Sequence, residues 1–379
     1  MNIFTAILAI LTVIYAASII YLLVGLYRRH EPSNEKKQFL SVIVSAHNEE
    51  DKILECLRSI DMQEYPRQNY EVIVVDDRST DNTYTLAEKF CEGRANFHAF
   101  RLRDNQPAIP KKTALLKGFD NSNGEIIVTT DADCVLPSRW LAGINSYFAE
   151  EVGMVIGHTN YRTNDTLFSG VDALDYLSQR SMGVAFANHG SAYTCTSSNL
   201  AYRREIFAKA RNEFAELKIR PADDNFLLNY VHRKTGYKIV SAVDSDSIGE
   251  TGGAKNIGHF LNQRFRWGSY GDKPSLGMTM FFIPALLYYI ALWLGLVLLP
   301  FLPGIILPLA FSIGVKLLVD FAYMNKSALI FNCAYLMKFF IPAWLLNFIL
   351  VPVIVIRGNL FPFEWKGKRY TRTAEVEAS

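Results

Sequence analysis

The stretch Phe39–Ile60, FLSVIVSAHNEEDKILECLRSI, holds two periodicities in succession. Phe39 to Ser45 are mostly apolar and rich in β-branched residues, as in a strand buried on both faces. Ile53, Leu54, Leu57 and Ile60 then recur at helical spacing. The succession repeats. YEVIVVDD (70–77) precedes the helical TDNTYTLAEKF (80–90), FHAFRL (97–102) precedes KKTALLKGFDNS (111–122), and EIIVTTDAD (125–133) is a fourth strand. Alternation of apolar strands with helices predicts an α/β domain whose sheet is mostly parallel and covered by helices. Ligands of such sheets bind beyond the carboxyl ends of the strands. Three strands here end in polar or acidic residues, SAHNEE (45–50), DDRST (76–80) and DADC (131–134), so their side chains are expected to converge on one edge.

Outward from this domain the composition changes. The 379-residue chain is half apolar with a formal charge of +2, which gives no electrostatic footprint for nucleic acid. Residues 3–27 are uncharged and long enough to cross a hydrocarbon core of about 30 Å. No basic residue precedes them and no small-residue cleavage site closes them, so a retained anchor over 1–27 is expected rather than a signal peptide. Arg28 and Arg29 place the following chain in the cytoplasm by the positive-inside rule. RRHEPSNEKKQ (28–38) reads as a linker, 39–250 as the α/β domain and 251–275 as an interfacial segment. A C-terminal membrane region follows over 276–356, then a basic and finally acidic tail over 357–379. The clearest apolar segments there are roughly 277–299, 301–322 and 339–356, with Lys316 and Asp320 spaced to pair on one helix face or to mark an interface. Three C-terminal crossings would leave the basic KGKRY tail on the far side, against the charge rule, whereas two or four would not. Five cysteines without a C-x-x-C pair argue against zinc or disulfides and suit a reducing compartment.

The acidic residues carry the chemistry. Asp131 and Asp133 project to the same side of an extended chain, and two such carboxylates need a cation or a hydroxyl-rich ligand between them. Mg²⁺ or Mn²⁺ shared with diphosphate oxygens is a natural partner. The bland alternative is helix capping, for which Ser138 already stands available. Asp76 and Asp77 end the second strand; helix capping is the bland reading, but Asp81 or Thr80 can cap the next helix unaided, and a carboxylate at this edge can accept from a nucleobase or ribose. Asp223 and Asp224 precede an apolar helical pattern, one as a cap and the other as a candidate general base. In QRFRWGS (263–269) the arginines and Trp267 either mark the membrane face or form a phosphate clamp beside a sugar platform.

Seven motifs in order over residues 39–270, VIVSAHNEE, VIVVDDRSTDNT, PKKTALLKG, IIVTTDADC, CTSSNLAYRRE, ADDNFLLN and QRFRW, resemble the membrane-embedded family-2 glycosyltransferases. That group includes cellulose, hyaluronan and poly-N-acetylglucosamine synthases and ceramide glucosyltransferase. The resemblance implies a GT-A fold and inverting transfer from a UDP-sugar with Mg²⁺ or Mn²⁺. It implies that Ser45, His47 and Glu49 line the nucleotide, that Asp77 rather than Asp76 reads the uracil edge, and that Lys111 rather than Lys112 faces the diphosphate. Asp131 would bind ribose and sugar, Asp133 the metal, and Asp224 would be the catalytic base. Gln263, Arg266 and Trp267, with Cys195 and Ser197 of the CTS segment, would hold the diphosphate and the acceptor end. Two departures stand out. Cys134 replaces a metal-binding histidine of cellulose synthases, and ADD replaces the commoner TED, which leaves Asp223 against Asp224 open.

Two acceptors compete by the same resemblance. Q-x-x-R-W and CTS suit a growing glycan made by a processive polysaccharide synthase. Chain size and the layout of one leading helix with a few trailing ones suit a lipid or lipid-linked hydroxyl, the reading adopted here, in a bacterial plasma membrane. Outside the transferases, DADCV also fits the D-x-D-x-(T/V) of haloacid-dehalogenase phosphatases, which usually carry it on their first strand. A non-enzymatic membrane protein is the remaining class.

Overall fold

The FLSVIVSA run becomes β1 (Leu40–Ala46), the middle of a sheet whose order places it between β2 (Tyr70–Asp76) and β4 (Ile126–Asp131). The computed structural model describes residues 3–103, 111–191, 193–216, 223–268, 276–365, 368–370 and 376–377. Both of the pairings of β1 are parallel and start at Leu40, opposite Tyr70 and opposite Ile126. With β3 (Phe97–Arg101), β5 (Val152–Ile156), β7 (Asn199–Arg203) and β8 (Lys238–Ser241) the full order is β3-β2-β1-β4-β7-β5-β8. Only β7 runs antiparallel, against both β4 and β5. A separate parallel pair joins β6 (His158–Arg162) to β9 (Ile248–Gly252). The sheet is mostly parallel, as the strand–helix alternation predicts, and the fold is GT-A-like, as the resemblance implies.

Alternate residues of β1 serve different layers, because successive side chains of a strand point to opposite faces. Leu40, Val42 and Val44 pack with Ile53, Leu57 and Ile60 of α2 (Ile53–Asp61) and Trp140 of α5 (Trp140–Ser146). On the other face Ile43 meets Leu115 and Phe119 of α4 (Lys112–Asp120), in a cluster with Phe207 and Phe214 of α7 (Arg204–Glu216) and Leu228 of α8 (Asp223–Lys234). The helix α3 (Thr83–Cys91) follows β2. Gly118 sets how closely α4 approaches the sheet, since a Cβ there would lie 2.5 Å from Cγ2 of Ile43.

Residues 28–163 and 186–253 form this unit; residues 1–27, 164–185 and 254–379 form a second. The second contains α1 (Ile3–Tyr27), most of α6 (Leu167–Asn188), α9 (Ile257–Gly268), α10 (Leu276–Leu298), α11 (Ile306–Ile330) and α12 (Phe340–Leu360), then the short strands β10 (Phe363–Trp365), β11 (Lys368–Tyr370) and β12 (Val376–Glu377). Four stretches, Ile3–Tyr27, Thr279–Leu298, Pro303–Ile330 and Ala334–Gly358, are long and apolar enough to cross a membrane. Within them Lys316 is buried and does pair with Asp320 on its own helix. The hydroxyl of Tyr15 and the indole N–H of Trp344 also donate to that carboxylate, at 2.7 and 2.9 Å. Three helices, α1, α11 and α12, thus meet on one ion pair.

Candidate active site

The sheet edge beyond the C-terminal ends of β1, β2 and β4 gathers the residues singled out in the first unit. β4 ends at Asp131, whose Oδ1 accepts from Lys111 Nζ at 2.6 Å and, more weakly, from Ser45 Oγ at 3.5 Å. Lys111 stands at φ 65°, a left-handed conformation that costs a non-glycine residue energy and recurs where function fixes the backbone. Its neighbour Lys112 turns the other way. It is buried, its ammonium donates to the carbonyl of Ala215 at 2.6 Å, and only Lys111 of the pair reaches Asp131.

Asp77 follows β2 and is almost fully buried. Arg78 donates to its Oδ1, at 3.0 Å from Nε, and the backbone N–H of Lys111 donates to its Oδ2 at 2.9 Å. Nδ1 of His47 lies 2.6 Å from the carbonyl of Asp77, which can only accept, so Nδ1 carries the proton. Asp76, the last residue of β2, serves the turn that follows: it accepts from Ser79 N–H and lies 3.4 Å from Arg101. The loops after β1 and β2 are stitched together, with Asn48 N–H donating to Ser79 Oγ and Glu49 N–H to Thr83 Oγ1.

Asp133 lies two residues past the end of β4. Its Oδ2 accepts from Thr251 Oγ1 at 3.2 Å and lies 3.6 Å from Lys52 Nζ, which is equally far from Glu49. Sequence reading missed Lys52 and Thr251. Thr251 arrives through β9, tied to the DADC segment by a bridge between Val135 and Glu250 that no local pattern announces. Cys134 is withdrawn into the core, and burial, then Asp133 and Asp131, push its thiol well above its ordinary range. Among the described residues no three His, Cys, Asp or Glu side chains gather to hold a metal ion. The partly exposed carboxylates of Asp131 and Asp133 are hard oxygen donors suited to Mg²⁺ or Mn²⁺, but two do not make a cage. An ion held there would need its remaining ligands from phosphate and water.

Because β7 runs antiparallel to β4, with Asn199 opposite Thr130, the CTSS segment before it lies at the edge where β4 ends. Thr129 and Thr130 donate to the carbonyls of Ser197 and Ser198 at 2.8 and 3.0 Å. Asp224, in the first turn of α8, accepts from the N–H of Ser197 at 3.1 Å and of Asn225 at 2.9 Å. Cys195 is buried, its N–H donating to Asn225 Oδ1. Ser45, His47, Asp77, Lys111, Asp131, Asp133, Ser197 and Asp224 therefore share one sheet edge.

Gln263, Arg266 and Trp267 lie on α9, in the second unit. The intervening Arg264 is fully buried, where it donates to Asp172 and Asp175 of α6, each at 2.6 Å, and to Gln263 Oε1 at 2.6 Å. Burial holds the Asp172 carboxyl above its ordinary range against the pull of Arg264. The Trp267 ring lies 4.7 Å from that guanidinium and 5.9 Å from the Tyr176 ring.

Residues 41–211 match the glycosyl transferase family 2 domain. The chain is 27% identical over 233 residues to glycosyltransferase AglE of Haloferax volcanii, covering 61% of this chain and 72% of that protein. It is 28% identical over 171 residues to the undecaprenyl-phosphate 4-deoxy-4-formamido-L-arabinose transferase of Klebsiella pneumoniae, covering 44% and 49%. Over 112 residues it is 37% identical to the poly(ribitol-phosphate) β-N-acetylglucosaminyltransferase TarS of Staphylococcus aureus, 29% of this chain and 19% of that one. In fold it resembles the mannosyltransferase PcManGT of Pyrobaculum calidifontis, solved with GDP-Man and Mn²⁺, with a TM-score of 0.56 at 17% identity over 94% of this chain and 96% of that one.

Proposed function

Since the chain carries a glycosyl transferase family 2 domain over residues 41–211, we propose that it moves a sugar from a UDP-sugar to the hydroxyl of a lipid or lipid-linked acceptor, with inversion, at the cytoplasmic face of a bacterial plasma membrane. One observation carries the reading: a lysine-paired carboxylate, Asp131, and a carboxylate held by two backbone N–H groups, Asp224, stand at the same sheet edge as His47 and Asp77.

In this scheme His47 and Asp77 receive the base, and Ser45, Glu49 and Asp131 the ribose and sugar. Lys111, within reach of Asp131, offsets negative charge on the diphosphate as the glycosidic bond breaks. Asp224 takes the acceptor proton as that oxygen attacks the anomeric carbon, a single displacement that inverts the centre and leaves no covalent sugar. Asp133 would hold a divalent ion, which when bound would supply Lewis-acid stabilisation of the leaving diphosphate. Gln263, Arg266 and Trp267 are assigned the diphosphate and acceptor end on the Q-x-x-R-W motif, and Cys195 and Ser197 the acceptor on the CTS motif.

The lipid acceptor is favoured by the relative named for undecaprenyl phosphate and by the four apolar helices; the short match to TarS keeps a glycan acceptor in the test. The experiment is a panel of UDP- and GDP-sugars with Mg²⁺ or Mn²⁺ in native membranes, scoring nucleoside diphosphate release and the fate of the labelled sugar. Label extracted with lipid, lost in Asp224→Asn, is the expected result. Label only in water-soluble polymer would replace the acceptor, and release unaffected by Asp224→Asn would remove the mechanism.

A further inference from the structure

By length and composition α12 is a fourth membrane crossing. Its contacts trace another path. We propose that α12 is a re-entrant helix, embedded in the lipid of one leaflet, which enters and leaves the bilayer on the side where α1 ends, so that only α1, α10 and α11 cross.

The directions of the other helices come first. α10 runs antiparallel to α1, with Phe281 near Tyr21, Tyr288 stacked on Tyr15 at 4.6 Å, and Gly295 packed close to Phe4. α11 runs parallel to α1, with Ser312 hydrogen-bonded to Thr12 at 2.7 Å and Lys326 Nζ over the Tyr27 ring at 3.9 Å. α11 therefore ends on the Tyr27 side.

A layer of two polar helices lies at that end. Tyr323, in the last turns of α11, bonds Ser181 of α6 at 2.8 Å, and α6, with Asp172, Asp175 and Arg180, is too polar to span. α9 runs beside α6 in the same direction: Phe260 meets Phe168, Arg264 meets Asp172 and Asp175, and Trp267 meets Tyr176.

Both ends of α12 are fastened to this layer. Just before it, Lys338 pairs with Asp165 at 2.9 Å, and Phe339 packs on Gly170 of α6, where a Cβ would lie 2.2 Å from its ring. At its other end Ile354 packs on Gly268 of α9, and Arg357 lies 5.3 Å over the Phe265 ring. A straight 21-residue helix is about 31 Å long, so a crossing would part its ends by about the thickness of the hydrocarbon core. Gly170 and Asp172 lie within one turn of α6, and Asp172 pairs with Arg264 of α9, so both ends of α12 meet one polar layer instead of opposite faces of that core.

The middle of α12 dips between the crossing helices, with Trp344 donating to Asp320 and Phe348 beside Tyr289. Pro352 has no N–H, so the carbonyl of Phe348 four residues earlier loses its helical partner; Trp293 Nε1 donates to it at 3.1 Å. The break in the ladder is thus built in and satisfied. Ile341, Leu345, Ile349, Val353, Ile356 and Leu360 form an exposed apolar stripe for acyl chains. The charge pattern agrees. No charged residue precedes Arg28 or lies between Leu276 and Val315, so with α12 re-entrant the basic residues that flank the crossings are expected on the Tyr27 side, as the positive-inside rule requires.

The test uses the full chain with single introduced cysteines and a membrane-impermeant maleimide, before and after permeabilising the cells. Leu302→Cys reports the α10–α11 turn, Ser33→Cys the segment after α1 and Ala378→Cys the tail. Ala378→Cys should label with Ser33→Cys and opposite to Leu302→Cys. Labelling of Ala378→Cys together with Leu302→Cys would make α12 a crossing and overturn the proposal. Neither outcome depends on transferase activity.

Discussion

Lys111 and Lys112 are adjacent and alike, yet their substitution should separate function from folding. Lys111→Ala removes the ammonium beside Asp131 and is expected to lower turnover by about 10²-fold while leaving the unfolding midpoint nearly unchanged. Lys112→Ala removes a buried side chain and its charged hydrogen bond to the carbonyl of Ala215 and should cost roughly 1.5–3 kcal/mol in a denaturation titration. Cys134 should resist thiol reagents until the chain unfolds, because burial and two neighbouring carboxylates keep its proton on; mass spectrometry of alkylated protein reads this directly. At this scale the motifs were a good guide to which residues share an edge: Asp131, Lys111 and Ser45 meet, and so do Asp224 and Ser197. They gave no hint of Lys52 and Thr251 around Asp133. Nothing in the local pattern at either residue records contact with a segment so distant in the chain.

Between elements, the tie from α6 to α9 depends on one guanidinium. Arg264→Leu leaves Asp172 and Asp175 buried without a counter-charge and should destabilise the protein by about 3–5 kcal/mol. Replacing all three by apolar residues of similar volume should recover most of that loss, a contrast that thermal unfolding in detergent can measure. Packing between α4 and β1 is as exacting. Gly118→Val places carbon where Ile43 already stands and should cost about 1–3 kcal/mol, checked by the same unfolding measurement. The parallel half of the sheet was legible because each strand is an unbroken apolar run answered by a helix with a clear stripe. The antiparallel insertion of β7 was not. NLAYR has the composition of any short strand, and its direction is set by the crossover through α6. The role of Arg264 was likewise hidden, since QRFRW offers two arginines and only packing shows which one faces inward.

For the whole molecule, the sequence located the apolar territory but left the parity of its crossings open, because hydropathy counts length and not direction. Contacts between Tyr15, Tyr288, Ser312 and Lys326 supply the direction. The chain should stay with the membrane through an alkaline carbonate wash and leave it only in detergent; recovery in the wash would contradict four apolar helices. The ion pair in α11 bears on how such a chain is made. A lysine and an aspartate near the middle of a helix each oppose its entry into lipid by about 2.5–3.5 kcal/mol, so α11 is a poor substrate for the insertion machinery on its own. Its partners are Tyr15, emerging 301 residues earlier, and Trp344, emerging 24 residues later. The charges of α11 therefore find their full set of partners only beside α1 and once synthesis has passed Trp344.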